Sequence, residues 1–197
     1  YYETHQVDYL PVELVGTAQG ESASDDWFVD LDDDGMPEMA PGRLPAGSAS
    51  EAAALVKKIV DYENAGAVDW KSKALLVAGT NDAANFVAAF NSGQGLVDFS
   101  GHGSMEIWKD GLFNVAATAL LTNGAKTPFV ISMTCLNGYF QDVWTLSLAE
   151  ALLKAPGGGA VGVWASSTLT EAGPQATLNQ AMIKALYGGA PITVGEA

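Results

Sequence analysis

Short apolar runs of strand length alternate with segments of helical period along this chain, and that alternation restricts its fold more than any other feature. Residues 74–78 form an apolar run, followed by Ala83, Phe86, Val87 and Phe90 at helical spacing. Leu96 to Phe99 and Pro128 to Met133 read as strands, Leu146 to Leu153 as a helix, Ala160 to Trp164 as a strand and Leu178 to Leu186 as a final helix. Upstream, Ser48 and Glu51 form a capping-box signature in which Glu51 is expected to reach back to the Ser48 amide; Leu55, Ile59 and Tyr62 follow at helical spacing, and Gly66 suits the stop. The first 25 or so residues read as extended structure and loop. Strand and helix in alternation predict an α/β fold, a mostly parallel sheet flanked by helices. At 197 residues with 48% hydrophobic and 16% charged residues, one domain over 1–197 with one core is expected.

Charge removes whole classes of partner. Nine Lys and Arg against 23 Asp and Glu give a net charge of -14, which repels phosphate backbones and anionic lipid, so nucleic acid is not an expected partner. No apolar run approaches the roughly 18 residues of a membrane span, so no membrane insertion is expected. The single cysteine, Cys135, excludes an intrachain disulfide and a multi-cysteine zinc site. The chain opens on Tyr1 with no signal-like segment behind it, and reads as a piece of a longer protein.

In open parallel sheets ligands bind beyond the carboxyl ends of the strands. Leu96 to Phe99 leads into Ser100-Gly-His102-Gly-Ser104, and Pro128 to Met133 leads into Thr134-Cys135-Leu-Asn-Gly138. If those strands are neighbours, imidazole and thiol face one crevice. Each charge of a thiolate–imidazolium pair stabilises the other, which yields a nucleophile and a general acid together. The alternative is a cysteine packed as a small hydrophobe and a histidine satisfied as an ordinary polar group.

The stretches Val97-Asp-Phe-Ser-Gly-His-Gly-Ser104 and Ile131-Ser-Met-Thr-Cys-Leu-Asn-Gly-Tyr-Phe140 resemble the two catalytic motifs of the gingipain family of cysteine peptidases. Asp30 to Glu38 with Gly42-Arg-Leu-Pro45, Ser147 to Leu152, and Gly158 to Ser167 look like family segments in the same order. The resemblance implies a caspase-like three-layer α/β sandwich that cleaves peptide bonds. It implies Cys135 as nucleophile, His102 as proton-transfer residue, and the amides of Gly103 and Cys135 as the oxyanion hole. It also implies a catalytic carboxylate at Glu38, a specificity carboxylate near Glu51, and a substrate-pocket wall at Ser166 and Ser167. Secretion or a cell-surface location, with a protein or peptide as partner, follows from the same likeness.

Several of these residues have a second reading. Asp30, Asp32, Asp34 and Glu38, with Gly35 at the turn, match the alternating carboxylates of a calcium loop, although Pro41 stands where a bidentate glutamate is usual; the alternative is an acidic turn. A structural calcium ion is thus expected as the one cofactor, and none for the chemistry. One residue can hardly serve as both calcium ligand and catalytic acid, so Glu38 is contested, as Glu51 is by its capping role. Arg43, the sole arginine, is expected to anchor a carboxylate. The five tryptophans are expected in core and interfaces, and His5 at the surface.

Two departures from the family stand out. Only about 15 residues separate Gly79 from Gly95, where family members carry a further strand–helix unit. A join in the stretch 81–88, or a true deletion at a sheet edge, would account for this. The N-terminal stretch also enters the family domain part way through. The leading expectation is a secreted cysteine endopeptidase; the alternative is a non-catalytic, calcium-stabilised surface or adhesion module of the same fold. A metal-dependent hydrolase is disfavoured by the presence of only two histidines.

Overall fold

The computed structural model describes residues 9–78, 82–190 and 192–197. In chain order it has β1 (Glu13–Thr17), β2 (Gly20–Ser24), α1 (Ala49–Asn64), β3 (Ala74–Ala78), α2 (Ala83–Ser92), β4 (Leu96–Ser100), β5 (Gly103–Ser104), β6 (Ile107–Trp108), β7 (Phe129–Met133), α3 (Leu148–Lys154), β8 (Gly162–Ala165) and α4 (Ala172–Tyr187). His5 lies outside the described residues, as does the start of the shortened segment at 79–81.

The central sheet is parallel, in the order β3-β4-β7-β8. Side chains alternate across it, so each strand feeds two cores. On one face Val77, Val97, Phe99 and Val130 pack with Phe86 and Phe90 of α2, Leu148 and Leu152 of α3, and Trp108 and Phe113. On the other face Leu96, Ile131 and Met133 meet Met182 of α4, with Ile183 and Leu186 beside it. Helices on both faces of one sheet make the three-layer sandwich. At the edge strand β3, Leu76 is 69% exposed.

Local chemistry explains the helix ends. The Ser48 hydroxyl accepts the Glu51 N–H at 3.2 Å, as expected of an N-cap. The Glu51 carboxylate, however, reaches one residue further than the capping box requires and accepts the Gly47 N–H at 2.8 Å. The full reciprocal box occurs instead at α3, between Ser147 and Glu150. Helix α4 starts six residues before the expected Leu178, with Pro174 in its first turn, where a missing N–H costs nothing.

The N-terminal segment forms a hairpin, β1–β2. Arg43 does anchor a carboxylate: its Nε and one terminal nitrogen donate to the two Asp25 oxygens at 2.8 and 2.5 Å. Its guanidinium also lies 4.6 Å from the Phe140 ring centroid. The tryptophans divide: Trp108 is fully buried and packs against Phe99 at 4.1 Å between ring centroids, whereas Trp144 is 74% exposed and belongs to no core.

Candidate active site

Strands β4 and β7 are direct neighbours, with Ser100 in register with Met133. His102 and Cys135 each stand two residues beyond that pair, at the carboxyl edge of the sheet. The Gly101 N–H donates to the Met133 carbonyl at 3.2 Å and carries the pairing one step past the strand. The imidazole of His102 is exposed, and Cys135 is half-buried.

The turn after His102 is a tight hairpin, β5–β6. The Lys109 N–H donates to the His102 carbonyl at 2.8 Å, so the next register pair, Gly103 with Trp108, is of the non-hydrogen-bonded kind. The Gly103 N–H therefore points away from its hairpin partner. A side chain at Gly103 would place Cβ 2.7 Å from Thr134 Oγ1 and 2.8 Å from the Ile107 carbonyl oxygen, so only glycine lets this turn approach the cysteine loop.

The turn after β7 is held as tightly. Leu136 adopts a left-handed conformation, φ 61°, unusual for a branched apolar residue. The Leu136 N–H donates to the Thr168 carbonyl at 3.0 Å and the Gly138 N–H to the Ser166 carbonyl at 2.8 Å, which holds that geometry. No described residue accepts the Cys135 N–H. The Cys135 sulfur lies 3.5 Å from Thr170 Oγ1 and 3.6 Å from the Thr170 carbonyl oxygen. Thr170 is a neighbour of Cys135 that the sequence did not announce, because its loop follows β8 and carries no motif of its own.

Ser166 and Ser167 brace this same loop. The Ser166 hydroxyl donates to the Thr168 carbonyl at 2.9 Å, and the Ser167 hydroxyl to the Ala23 carbonyl at 3.0 Å with Ser22 Oγ 2.9 Å away. Ser167 also lines a cleft of about 220 Å³ with Arg43, Gly138, Phe140 and Glu150. Burial pushes the Glu150 carboxyl above the ordinary glutamate range.

Glu51 and Glu38 each accept a backbone N–H near them in the chain. The Gly47 N–H, aided by Lys154 Nζ at 3.5 Å, holds Glu51 below the usual carboxylate range. The carboxylate oxygens of Asp30, Asp32, Asp34 and Glu38 converge within 4.8 Å of one another. The loop is built for it: Asp30 accepts the Asp34 and Gly35 N–H groups at 3.2 and 2.9 Å, and Glu38 accepts the Leu31 N–H at 2.5 Å. Among the described residues no lysine or arginine pairs with any of the four. Hard oxygens so arranged suit calcium, and like charges this close repel by about 1 kcal/mol a pair even in water.

His102, exposed, and Cys135, half-buried, thus follow the ends of adjacent parallel strands, with the Gly103 N–H directed away from its hairpin partner and no acceptor for the Cys135 N–H among the described residues. The sequence matches the family model of Peptidase family C25 over residues 2–88 and 80–197, and the chain belongs to that family, the gingipain-like cysteine peptidases. It is 34% identical over 104 residues to Gingipain R2 of Porphyromonas gingivalis, covering 53% of this chain and 13% of that protein. To Lys-gingipain W83 of the same species it is 24% identical over 160 residues, covering 62% of this chain and 9% of that one. The crystal structure of the Arg-specific cysteine proteinase gingipain R superposes with a TM-score of 0.75 at 22% identity, over 88% of this chain and 50% of that one. The fold is thus the caspase-like α/β sandwich, and the chain spans about half of that solved structure.

Proposed function

We propose that this chain is a cysteine endopeptidase that hydrolyses peptide bonds through an acyl-enzyme thioester on Cys135. The observation that carries the reading is the register of Ser100 with Met133, which brings the turns of His102 and Cys135 side by side. The Cys135 thiolate attacks the scissile carbonyl carbon, and the carbonyl electron pair moves to oxygen, where the Gly103 and Cys135 amides hold it. Collapse of this intermediate expels the amine, which takes a proton from the His102 imidazolium and leaves a thioester. Water then gives a proton to His102 and attacks the thioester, releasing the thiolate and a carboxylic acid.

The acidic loop is assigned to a structural calcium ion. Asp30, Asp32, Asp34 and Glu38 supply hard oxygen ligands, and the ion relieves their mutual repulsion. Glu38 on this reading serves the loop and not His102. Ser166 and Ser167 serve as the wall of the substrate pocket, Thr170 stands against the Cys135 sulfur, and Glu51 holds the start of α1. Family membership supports secretion or a surface location. The test is incubation with a mixed peptide library: the wild-type chain cleaves it and Cys135→Ala does not, whereas equal inactivity of both sinks the reading.

A further inference from the structure

The two turns of the site are joined inside the protein by one side chain. Asn137, two residues after Cys135, is 1% exposed. Its Oδ1 accepts the Trp108 indole N–H at 2.6 Å and the Ser132 hydroxyl at 2.8 Å. Its Nδ2 donates to the Ser104 carbonyl oxygen, next to Gly103. Its own carbonyl accepts the Ala149 N–H of α3 at 3.0 Å. Trp108 and Ser132 are themselves almost wholly buried.

Only a primary amide fits this role. It presents an acceptor with two lone pairs on one side and N–H donors on the other. An aspartate keeps the shape and the acceptors but sets a carboxylate oxygen against the Ser104 carbonyl. A buried network of this kind, fully satisfied, fixes the parts it joins; partly satisfied, it releases them. What Asn137 joins is the hairpin that carries the Gly103 N–H and the loop that carries the Cys135 N–H.

We infer that Asn137 is a positioning residue: through Ser104 and Trp108 it sets the separation of the two backbone amides that receive the oxyanion. The inference rests on the peptidase reading. It predicts a separation between two reactions of the same thiol. Alkylation by iodoacetamide needs the thiolate but no oxyanion donors, whereas peptide cleavage needs both.

The experiment compares wild type, Asn137→Asp and Ser132→Ala, each as the full chain, for steady-state cleavage of a peptide selected from the library and for Cys135 alkylation across pH. Asn137→Asp is expected to lower kcat about 10- to 100-fold with KM, and the alkylation rate at the alkaline plateau where the thiol is fully ionised, within about threefold of wild type. Ser132→Ala removes one donor to the Asn137 oxygen and gives a smaller fall in kcat with alkylation equally unchanged; it carries the test if Asn137→Asp does not fold. Parallel loss of cleavage and alkylation, or a kcat within about twofold of wild type in every folded variant, overturns the proposal. Absence of cleavage by the wild-type chain overturns the peptidase reading itself, and the proposal with it.

Discussion

Gly103 and Thr134 stand so close that a methyl group on the glycine would sit 2.7 Å from the threonine hydroxyl oxygen. This contact sets how near the histidine hairpin comes to the cysteine loop. It also explains why a glycine follows His102: the position leaves no room for a side chain.

Gly103→Ala therefore forces the hairpin outward. The expected result is a fall in kcat of about 10²- to 10³-fold, the cost of one lost oxyanion donor, with a stability loss of about 1 to 3 kcal/mol from overpacking. Steady-state kinetics with urea denaturation on the same preparation reads both. A kcat near wild type would mean that the Gly103 amide takes no part.

The acidic loop gives a prediction independent of catalysis. Calcium at about 100 times its dissociation constant stabilises the folded chain by about 2.7 kcal/mol, and EDTA removes that increment. In scanning calorimetry the Tm rises with calcium, whereas magnesium, which prefers a tighter octahedral shell, raises it less. Asp30→Asn with Asp34→Asn abolishes the calcium increment. An increment that persists in the double variant would place the ion elsewhere.

Asp98 is buried in β4, and its carboxylate meets Asn179 of α4, whose Nδ2 donates to both oxygens at 3.2 and 3.0 Å. Asn179 Oδ1 is buried without a partner. Burial raises the Asp98 carboxyl above its ordinary range, and the Asn179 hydrogen bond offsets this only in part. An acid raised on folding favours the folded state while protonated, so this contribution is present below the unfolded value of about 3.9 and is lost as pH climbs through the raised one. Asp98→Asn carries no charge and can donate to Asn179 Oδ1. The variant is expected to be about 1 kcal/mol more stable than wild type at pH 7, with the gap narrowing toward pH 4. Urea denaturation at both values checks this, and a destabilised variant at pH 7 would contradict it.

How much of this was legible in the sequence depended on how far each signal travels along the chain. Strands β4 and β7 lay where their apolar runs predicted, because strands covered on both faces must be continuously apolar; β3 also lay on its apolar run, although as the edge strand it leaves Leu76 exposed. The β1–β2 segment was read as extended structure and loop but not as a hairpin: its two strands are short and largely exposed, and its two-residue turn, Ala18 and Gln19, lacks the Asn-Gly or Asp-Gly pair that announces a hairpin. The early start of α4 was hidden by Gly173 and Pro174, poor helix formers that the first turn tolerates. His102 and Cys135 could be singled out because each follows its strand directly. Asn137 could not, since its side-chain partners Trp108 and Ser104 lie 29 and 33 residues away, and only the folded register brings them together.

The central claim is a thiolate–imidazolium pair between Cys135 and His102, and the pH dependence of Cys135 alkylation by iodoacetamide tests it most directly. The account predicts alkylation that stays fast below pH 7 and slows there in His102→Ala, because the imidazolium charge that favours the thiolate has gone. A rate that titrates near pH 8.5, identical in wild type and His102→Ala, would contradict it and leave a structural module of the same fold.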